Sequence, residues 1–159
     1  MNDLKNKNAL ITGAGKGIGK AVAIALAKEG VNVILLARTQ ADIDTVAKEA
    51  ATFGVKSIAI TADVADINSV NTAIEKALAE FKTIDILINN AGITKDNLLM
   101  RMSESDFDQV IDVNLKSVFN MTKAIQKTFL KQRSGSIINM SSVVGVKGNA
   151  GQKIGRAHV

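Results

Sequence analysis

Short apolar runs alternate with amphipathic segments along almost the whole chain. The apolar runs predict five β-strands, which span residues 8–12, 31–37, 55–61, 84–89 and 136–141. Between the strands, apolar residues recur at intervals of three and four positions and predict helices over residues 17–29, 40–53, 66–81 and 103–131. Strands with so little polar alternation are typical of parallel sheets that helices cover on both faces. The pattern therefore predicts an α/β protein with a Rossmann-type, doubly wound parallel sheet.

The ends of the predicted helices carry residues with known capping preferences. Gly30 follows the first helix and Gly54 follows the second, and glycine at this position commonly ends a helix. Asp66 is the predicted N-cap of the third helix. Ser103 opens the long fourth helix, and Asp106 in its first turn interacts favourably with the helix dipole. These signals place the helix boundaries where the hydrophobic pattern places them.

Composition excludes several classes of protein. The 159 residues contain no cysteine and one histidine, His158, which excludes disulfides, a thiol nucleophile and a zinc site. No apolar run approaches the roughly 20 residues of a membrane span, and the first strand begins too early for a signal peptide to precede it. The net charge is +5, but the basic residues are scattered among acidic ones without interleaved aromatic residues. We therefore expect a cytoplasmic protein that binds no nucleic acid, no membrane and no metal.

The first predicted strand runs into a glycine-rich turn. Its glycines have the spacing G-x-x-x-G-x-G directly before the first predicted helix. Glycine permits the tight turn and lets the backbone approach a diphosphate, which then faces the helix N-terminus. A P-loop is excluded because the turn contains no Gly-Lys-Ser or Gly-Lys-Thr. The turn predicts a dinucleotide site with contacts from Gly13, Ala14, Gly15, Lys16, Gly17, Ile18 and Gly19.

The end of the second strand indicates which dinucleotide binds. NAD sites usually place Asp or Glu there to bind the ribose 2′-hydroxyl, whereas this strand ends at Arg38 and the next acid is Asp42. The guanidinium of Arg38 suits a 2′-phosphate, and Lys16 could reach the same group. The sequence therefore favours NADPH/NADP+ over NADH, while two solvated surface cations remain the alternative interpretation.

Two motifs together resemble the short-chain dehydrogenase/reductase family. They are T-G-x-x-x-G-x-G at Thr12–Gly19 and N-N-A-G at Asn89–Gly92, and each lies where that family has it. The resemblance extends through residue 152. It implies further coenzyme contacts from Asp63 and Val64, beside the adenine, and from Asn90, Ala91 and Gly92.

Within the family, residues 90–102, 142–145 and 148–152 are similar to the 3-oxoacyl-(acyl carrier protein) reductases of bacterial fatty-acid synthesis. That likeness implies NADPH-dependent reduction of 3-oxoacyl-(acyl carrier protein) to the 3-hydroxyacyl product. Two alternatives stay open. One is another short-chain reductase acting on an alcohol, a sugar or acetoacetyl-CoA, and the other is a non-catalytic dinucleotide-binding protein.

The family reduces a carbonyl with four residues, of which this sequence contains two. Ser142 matches the serine that polarises the carbonyl, with Ser141 as a close rival, and Asn114 matches the asparagine of the proton relay. A serine that caps a turn, or a solvated asparagine in a helix, would look the same. The chain contains no tyrosine, and the family's Tyr-x-x-x-Lys motif would fall at Gly155 and Val159.

The last seven residues, 153–159, resemble nothing in the family. Ile154–Val159 is the translation of ATCGGAAGAGCACACGTC, a string found in short-read sequencing adapters. We therefore expect residues 1–152 to be an incomplete NADP-binding Rossmann domain followed by a non-native tail. Its C-terminal strands would be missing, the fifth strand would be an exposed edge, and the chain would fold poorly and lack activity.

The resemblance also implies partners. A basic cluster, Lys127, Lys131 and Arg133, ends the fourth helix, and Arg133 matches a position with which the family holds the acidic carrier protein. We expect this cluster beside or near the active-site end of the fifth strand. Cations at a helix C-terminus are also favoured by the helix dipole alone. The family typically forms homotetramers through the long helix and the helix that follows it.

Overall fold

The computed structural model describes residues 4–147. In chain order, the strands and α-helices of this part are β1 (Asn8–Thr12), α1 (Gly17–Lys28), β2 (Asn32–Ala37), α2 (Gln40–Ala51), β3 (Ser57–Thr61), α3 (Ile67–Phe81), β4 (Ile86–Asn89), α4 (Glu104–Ile111), α5 (Ser117–Gln132), β5 (Ser136–Asn139) and α6 (Val143–Lys147). A 3₁₀ turn at Leu99–Arg101 precedes α4, and a π-helical turn at Asp112–Lys116 joins α4 to α5.

The five strands form one parallel sheet in the order β3-β2-β1-β4-β5. This confirms the predicted fold class. The chain first builds outward from β1 through β2 to β3, and then crosses to the other side of β1 to add β4 and β5. The direction of winding therefore reverses between β1 and β4. In open α/β sheets, ligands bind beyond the carboxyl ends of the strands at this reversal.

Successive residues of each strand point into two different cores. Leu10 and Ile34 are fully buried against α3 and α5, while Ile11 and Leu35, one residue further along, are fully buried against α1 and α2. Both faces of the central strands are thus covered by helices. This double burial explains why the strands are almost uniformly apolar in sequence.

The predicted helix boundaries agree closely with the structure. The Asp66 carboxylate accepts a hydrogen bond from the Asn68 N–H at 2.9 Å, and Ser103 Oγ accepts one from the Asp106 N–H at 3.1 Å. Gly30 follows α1 with a φ of 80°. The third and fourth strands begin two residues later than expected, and the fifth ends at Asn139.

The helix predicted over residues 103–131 is present as one uninterrupted helical run, Glu104–Gln132, but it contains a π-helical turn that the sequence does not predict. The π-helical turn Asp112–Lys116 separates α4 from α5, although the apolar spacing continues through it without proline or glycine. Such one-turn bulges are frequent at functional sites. Here the turn carries Asn114, whose side chain makes two hydrogen bonds to the backbone of Ile93, on the loop that follows β4. A contact between distant segments accompanies the bulge, and local periodicity does not reveal it.

Strand β5 pairs only with β4 within the described residues and lies at the edge of the sheet. Its apolar residues Ile137 and Ile138 are 41% and 47% exposed, in agreement with the expected open edge. No helix among residues 4–147 has the length and hydropathy needed to cross a lipid bilayer. The predicted tail at 153–159 lies outside the described residues.

Candidate functional site

The glycine-rich turn is held so closely to the end of β4 that side chains would not fit. Gly13 has a φ of 65°, and a Cβ on it would lie 2.9 Å from the Ala91 Cα. A Cβ on Gly19 would lie 2.3 Å from the Gly13 carbonyl oxygen. Gly17 is different, because its φ is 57° but the space around its missing Cβ is open. Two of the glycines therefore permit close packing, and the third leaves a free surface.

The N-terminus of α1 faces that free surface without a side-chain cap. Lys16 occupies the N-cap position and its side chain makes no capping hydrogen bond, and the first turn contains no acidic residue. The Lys20 N–H, at 3.3 Å from the Lys16 carbonyl oxygen, closes the first turn of the helix. The preceding N–H groups have no partner within the helix, and the positive end of the helix dipole adds to them. This arrangement suits an anion such as a diphosphate.

Thr12 and Asn90 fix the turn to the end of β4. The buried Thr12 Oγ1 accepts hydrogen bonds from the N–H groups of Asn90 and Ala91, both at 3.0 Å. The Asn90 Nδ2 donates to the carbonyl oxygens of Thr12 and Gly13 at 3.0 and 3.3 Å. The carboxyl ends of β1 and β4 are therefore joined through side chains. The Asn90 amide shapes the turn itself, a function that its motif alone did not indicate.

A cavity of about 360 Å³ lies beside this junction at the carboxyl edge of the sheet. The structure brings together around it most of the residues predicted for the coenzyme, namely Gly13, Gly15, Lys16, Ile18, Arg38, Asp63, Val64, Asn90, Ala91 and Gly92. The predicted residues Ala14, Gly17 and Gly19 do not line the cavity. Ala14 is fully buried behind the turn, and its N–H donates to the Leu36 carbonyl oxygen at 3.1 Å.

Charged side chains of both signs line the cavity. Lys16 and Arg38 have no ion-pair partner in the part of the chain that the structure describes, and they are free to bind an anion. Asp42, in the first turn of α2, also lines the cavity. A Cβ on Gly15 would lie 2.8 Å from the Asp42 Cβ, which means that Gly15 makes room for this acid. The sequence does not indicate that Asp42 belongs to the site. Its position at the cavity depends on the turn at residues 38–40, which brings the start of α2 back to the cavity.

The two predicted catalytic residues lie in different surroundings. The Asn114 Oδ1 accepts from the Ile93 N–H at 2.8 Å, and its Nδ2 donates to the Ile93 carbonyl oxygen at 2.9 Å. Ile93 and Val113 line the cavity, which places Asn114 at its wall. The Ser142 Oγ accepts from the Val144 N–H at 3.2 Å, at the start of α6, and does not line the cavity. The catalytic assignments of both residues remain predictions.

The expected position of the basic cluster is wrong. Arg133 ends α5 with a φ of 53°, three residues before β5 begins. Its neighbour Gln132 exchanges hydrogen bonds with the backbone of Ile84, just before β4. Because the strands are parallel, Arg133 lies at the amino edge of the sheet, opposite the cavity. A helix that returns the chain to the start of the next parallel strand must end at that edge.

The loop after the cavity wall is tied to α4 by Asp106. Its carboxylate accepts from Ser103 Oγ at 2.7 Å and lies 3.4 Å from the Lys95 Nζ. The Ser103 hydroxyl foremost, and the Lys95 ammonium to a lesser extent, hold the pKa of Asp106 below its ordinary value of 3.8. Since the folded state lowers this pKa, the stabilisation is complete above pH 3.8 and is lost as the pH falls through the folded value.

Ser103→Ala is therefore expected to raise the pKa of Asp106 toward 3.8, as measured by NMR titration of its carboxyl carbon. Ser105→Ala is the matched control, because Ser105 Oγ bonds to the Gln109 side chain and not to Asp106. Identical Asp106 titrations in the unaltered and Ser103→Ala proteins would show that the hydroxyl does not stabilise the carboxylate.

The reversal of the sheet and the glycine turn at its centre define a Rossmann-type α/β protein. The sequence profile of the family described as short chain dehydrogenase matches residues 7–154. The chain belongs to this family.

Two solved structures share the fold along nearly the whole chain. An NAD+-bound xylitol dehydrogenase matches with a TM-score of 0.92 and 29% identity, and the match covers 96% of this chain and 59% of the dehydrogenase. A putative short-chain alcohol dehydrogenase from Sinorhizobium meliloti has a TM-score of 0.93 and 29% identity, and covers 98% and 62%.

Three relatives with higher identity share one name. The 3-oxoacyl-(acyl-carrier-protein) reductase FabG of Staphylococcus epidermidis is 49% identical over 148 residues, which are 92% of this chain and 61% of the relative. The protein of that name from Staphylococcus aureus is 50% identical over 147 residues, which are 92% and 60%. The one from Thermotoga maritima is 46% identical over 149 residues, which are 94% and 61%. The chain thus spans about three fifths of the length of these relatives.

Proposed function

We propose that this chain binds NADPH in the cavity and is the coenzyme-binding part of a 3-oxoacyl-(acyl carrier protein) reductase. The observation that carries the proposal is the uncapped N-terminus of α1, which faces the same cavity as the unpaired Lys16 and Arg38. The likeness to relatives that bear that name supports the substrate class. In this proposal, residues 1–152 form the coenzyme-binding unit.

The residues around the cavity divide the work of binding. The N–H groups of α1 would bind the diphosphate, and Lys16 with Arg38 would bind the 2′-phosphate. Asp63 and Val64 would hold the adenine, while Asn90, Ala91 and Gly92 would face the nicotinamide half. The bound coenzyme supplies the hydride for carbonyl reduction. Asn114 would fix the backbone of Ile93 at the wall near the reacting carbonyl, and Ser142 would polarise that carbonyl in the complete site.

The coenzyme is NADPH rather than NADH in this proposal, because the end of β2 presents a cation to the ribose. Asp42 opposes this preference, since a carboxylate in the same cavity would repel a phosphate. Lys16 and Arg38 face two acids, Asp42 and Asp63, around the cavity, so the preference rests on direct contacts of the two cations with the 2′-phosphate and not on a net positive charge. One structural neighbour is an NAD+-bound xylitol dehydrogenase. NADH is therefore the competing coenzyme whose affinity must be measured beside that of NADPH.

A second function is supported by the absence of tyrosine from the sequence. Without a general acid of that kind, the chain would bind a dinucleotide and leave its substrate unreduced. General acid catalysis typically contributes about 10²–10⁴-fold in rate.

The carrier-protein contact at Arg133 also belongs to the proposal, with the condition that the docking face lies at the edge of the sheet opposite the cavity.

The test is to titrate the purified chain with NADPH and NADH, following coenzyme fluorescence, and then to add a 3-oxoacyl thioester. We expect NADPH to bind more tightly than NADH, and no coenzyme to be oxidised. Failure to bind either coenzyme would refute the proposed site. Equal affinities would refute the choice of NADPH, and measurable oxidation would show that tyrosine is not required.

A further inference from the structure

We propose that Asn120 is a positioning residue that holds the adenine side of the cavity in place from beneath. This inference rests on the proposed coenzyme site. Asn120 lies on α5, six residues after Asn114, and is 3% exposed. Neither the sequence motifs nor the proposed catalytic chemistry includes it. A buried polar side chain of this kind is costly unless its hydrogen bonds are satisfied.

The amide of Asn120 donates both of its hydrogen bonds to a single loop. Its Nδ2 lies 3.1 Å from the Val64 carbonyl oxygen and 3.3 Å from the Ala65 carbonyl oxygen. These residues belong to the loop between β3 and α3, which begins at Ala62. Val64 and its neighbours Ala62 and Asp63 line the cavity. Asn120 therefore supports the cavity wall from the side of the protein core.

The first residue of the loop is fixed to β2, because the Ala62 N–H donates to the Ala37 carbonyl oxygen at 3.0 Å, and the remaining hydrogen bonds fold the loop onto itself and onto α3. The Asp63 carboxylate accepts from the Ala65 N–H at 2.9 Å, and the Asp63 N–H donates to Ser69 Oγ at 3.0 Å. From Asp63 onward, these bonds fix the shape of the loop but bond it only to its own residues and to α3. The two bonds from Asn120 connect the shaped loop to α5, which packs in the same core.

Removal of the Asn120 donors would leave two backbone carbonyl oxygens without their protein partner. Such groups are expensive to bury, and the loop would move to reach water. The contacts that move with it are those to the adenosine half of the coenzyme. The diphosphate contacts of α1 lie on the opposite face of the sheet and do not depend on this loop.

The experiment compares Asn120→Asp and Asn120→Leu with matched variants of Asn8. Asn8 is 6% exposed, and its Nδ2 donates to the Thr83 carbonyl oxygen and hydroxyl at the amino edge of the sheet. Asn8→Asp and Asn8→Leu remove the same number of buried donors at the edge opposite the cavity. The probe is adenosine 2′,5′-bisphosphate, which is the adenosine half of NADPH, and calorimetry gives its Kd.

We expect each Asn120 variant to raise this Kd about tenfold, because two hydrogen bonds are lost, and each Asn8 variant to change it by less than about twofold. All four variants should unfold at lower urea concentrations. Equal Kd values in the Asn120 variants and the unaltered protein would overturn the positioning function while leaving the coenzyme site intact. Equal increases of the Kd in the Asn8 and Asn120 variants would mean that general destabilisation causes the effect. That result would also overturn the positioning function.

A second measurement needs no variant and applies if the Asn120 variants do not fold. In the unaltered protein, the side-chain amide resonances of Asn120 should shift when adenosine 2′,5′-bisphosphate binds, and those of Asn8 should not. Unmoved Asn120 resonances at saturation would overturn the proposal. If the unaltered protein binds neither this probe nor NADPH, the coenzyme site itself is wrong and the positioning function falls with it.

Discussion

Arg38→Asp is expected to reverse the coenzyme preference, raising the Kd for NADPH about 100-fold and lowering that for NADH severalfold. The substitution removes a charge-assisted contact to the 2′-phosphate and places a carboxylate in its position, beside Asp42. Loss of a hydrogen bond to a charged group alone accounts for roughly tenfold or more, and repulsion adds to it. A carboxylate at this position can accept a hydrogen bond from the ribose 2′-hydroxyl of NADH, which explains the gain.

The measurement is a fluorescence titration of each coenzyme against the unaltered and Arg38→Asp proteins at one ionic strength. Lys82→Asp is the matched control, because it makes the same change of charge at an exposed position. Lys82 follows α3 at the amino edge of the sheet, away from the cavity. A similar loss of NADPH affinity in both variants would mean that net charge, and not a contact from Arg38, selects the coenzyme.

Gly19→Ala is expected to destabilise the protein by about 3 kcal/mol and to abolish coenzyme binding. A Cβ at this position would lie 2.3 Å from the Gly13 carbonyl oxygen and 2.5 Å from the Asn90 Nδ2. Relief of these collisions requires α1 or the Asn90 side chain to move away from the turn, which breaks the hydrogen bonds of the Asn90 amide to Thr12 and Gly13. Alanine is otherwise favoured over glycine within a helix by about 1 kcal/mol. A net loss therefore isolates the effect of the collision.

Urea unfolding and NADPH titration measure the two consequences, with Gly17→Ala as the control. Gly17 lies in the same turn, and its missing Cβ has open space around it. Its positive φ still makes alanine unfavourable, by about 1–2 kcal/mol. The Gly17 variant should therefore remain folded with a smaller loss of stability. If Gly19→Ala were as stable as the unaltered protein, the close packing of α1 on the turn would not be required for the fold.

The site depends on contacts at the carboxyl ends of three strands of the sheet, β1, β4 and β3. Thr12 and Asn90 join β1 to β4, Asn114 holds the segment after β4, and Asn120 holds the segment after β3. All of these contacts end on backbone atoms. The protein thus shapes the cavity by positioning its main chain, and the charged side chains at the mouth select the ligand.

The class of fold and the central turn follow from local patterns in the amino-acid sequence. Uniformly apolar strands indicated a sheet buried on both faces, because polar side chains cannot occupy either core. The glycine spacing indicated where the main chain closes around an anion, and Gly13 and Gly19 do lie where a Cβ would collide. Asp66 and Ser103 stand at the predicted starts of their helices, and their side chains accept hydrogen bonds from N–H groups two and three residues further along the chain. Each of these signals depends on short-range geometry.

Local patterns do not indicate which distant segments come into contact in the folded protein. The π-helical turn interrupts a continuous helical pattern beside the long-range contact of Asn114 with Ile93, and periodicity cannot report such a contact. Asp42 lies at the cavity because α2 packs against Gly15, whereas Arg133 lies away from the cavity because α5 ends at the other edge of the sheet. Asn120 looks like any polar helical residue until the fold brings the Val64 carbonyl to it. Such contacts depend on how whole helices and strands pack against one another, and no local run of residues encodes that packing.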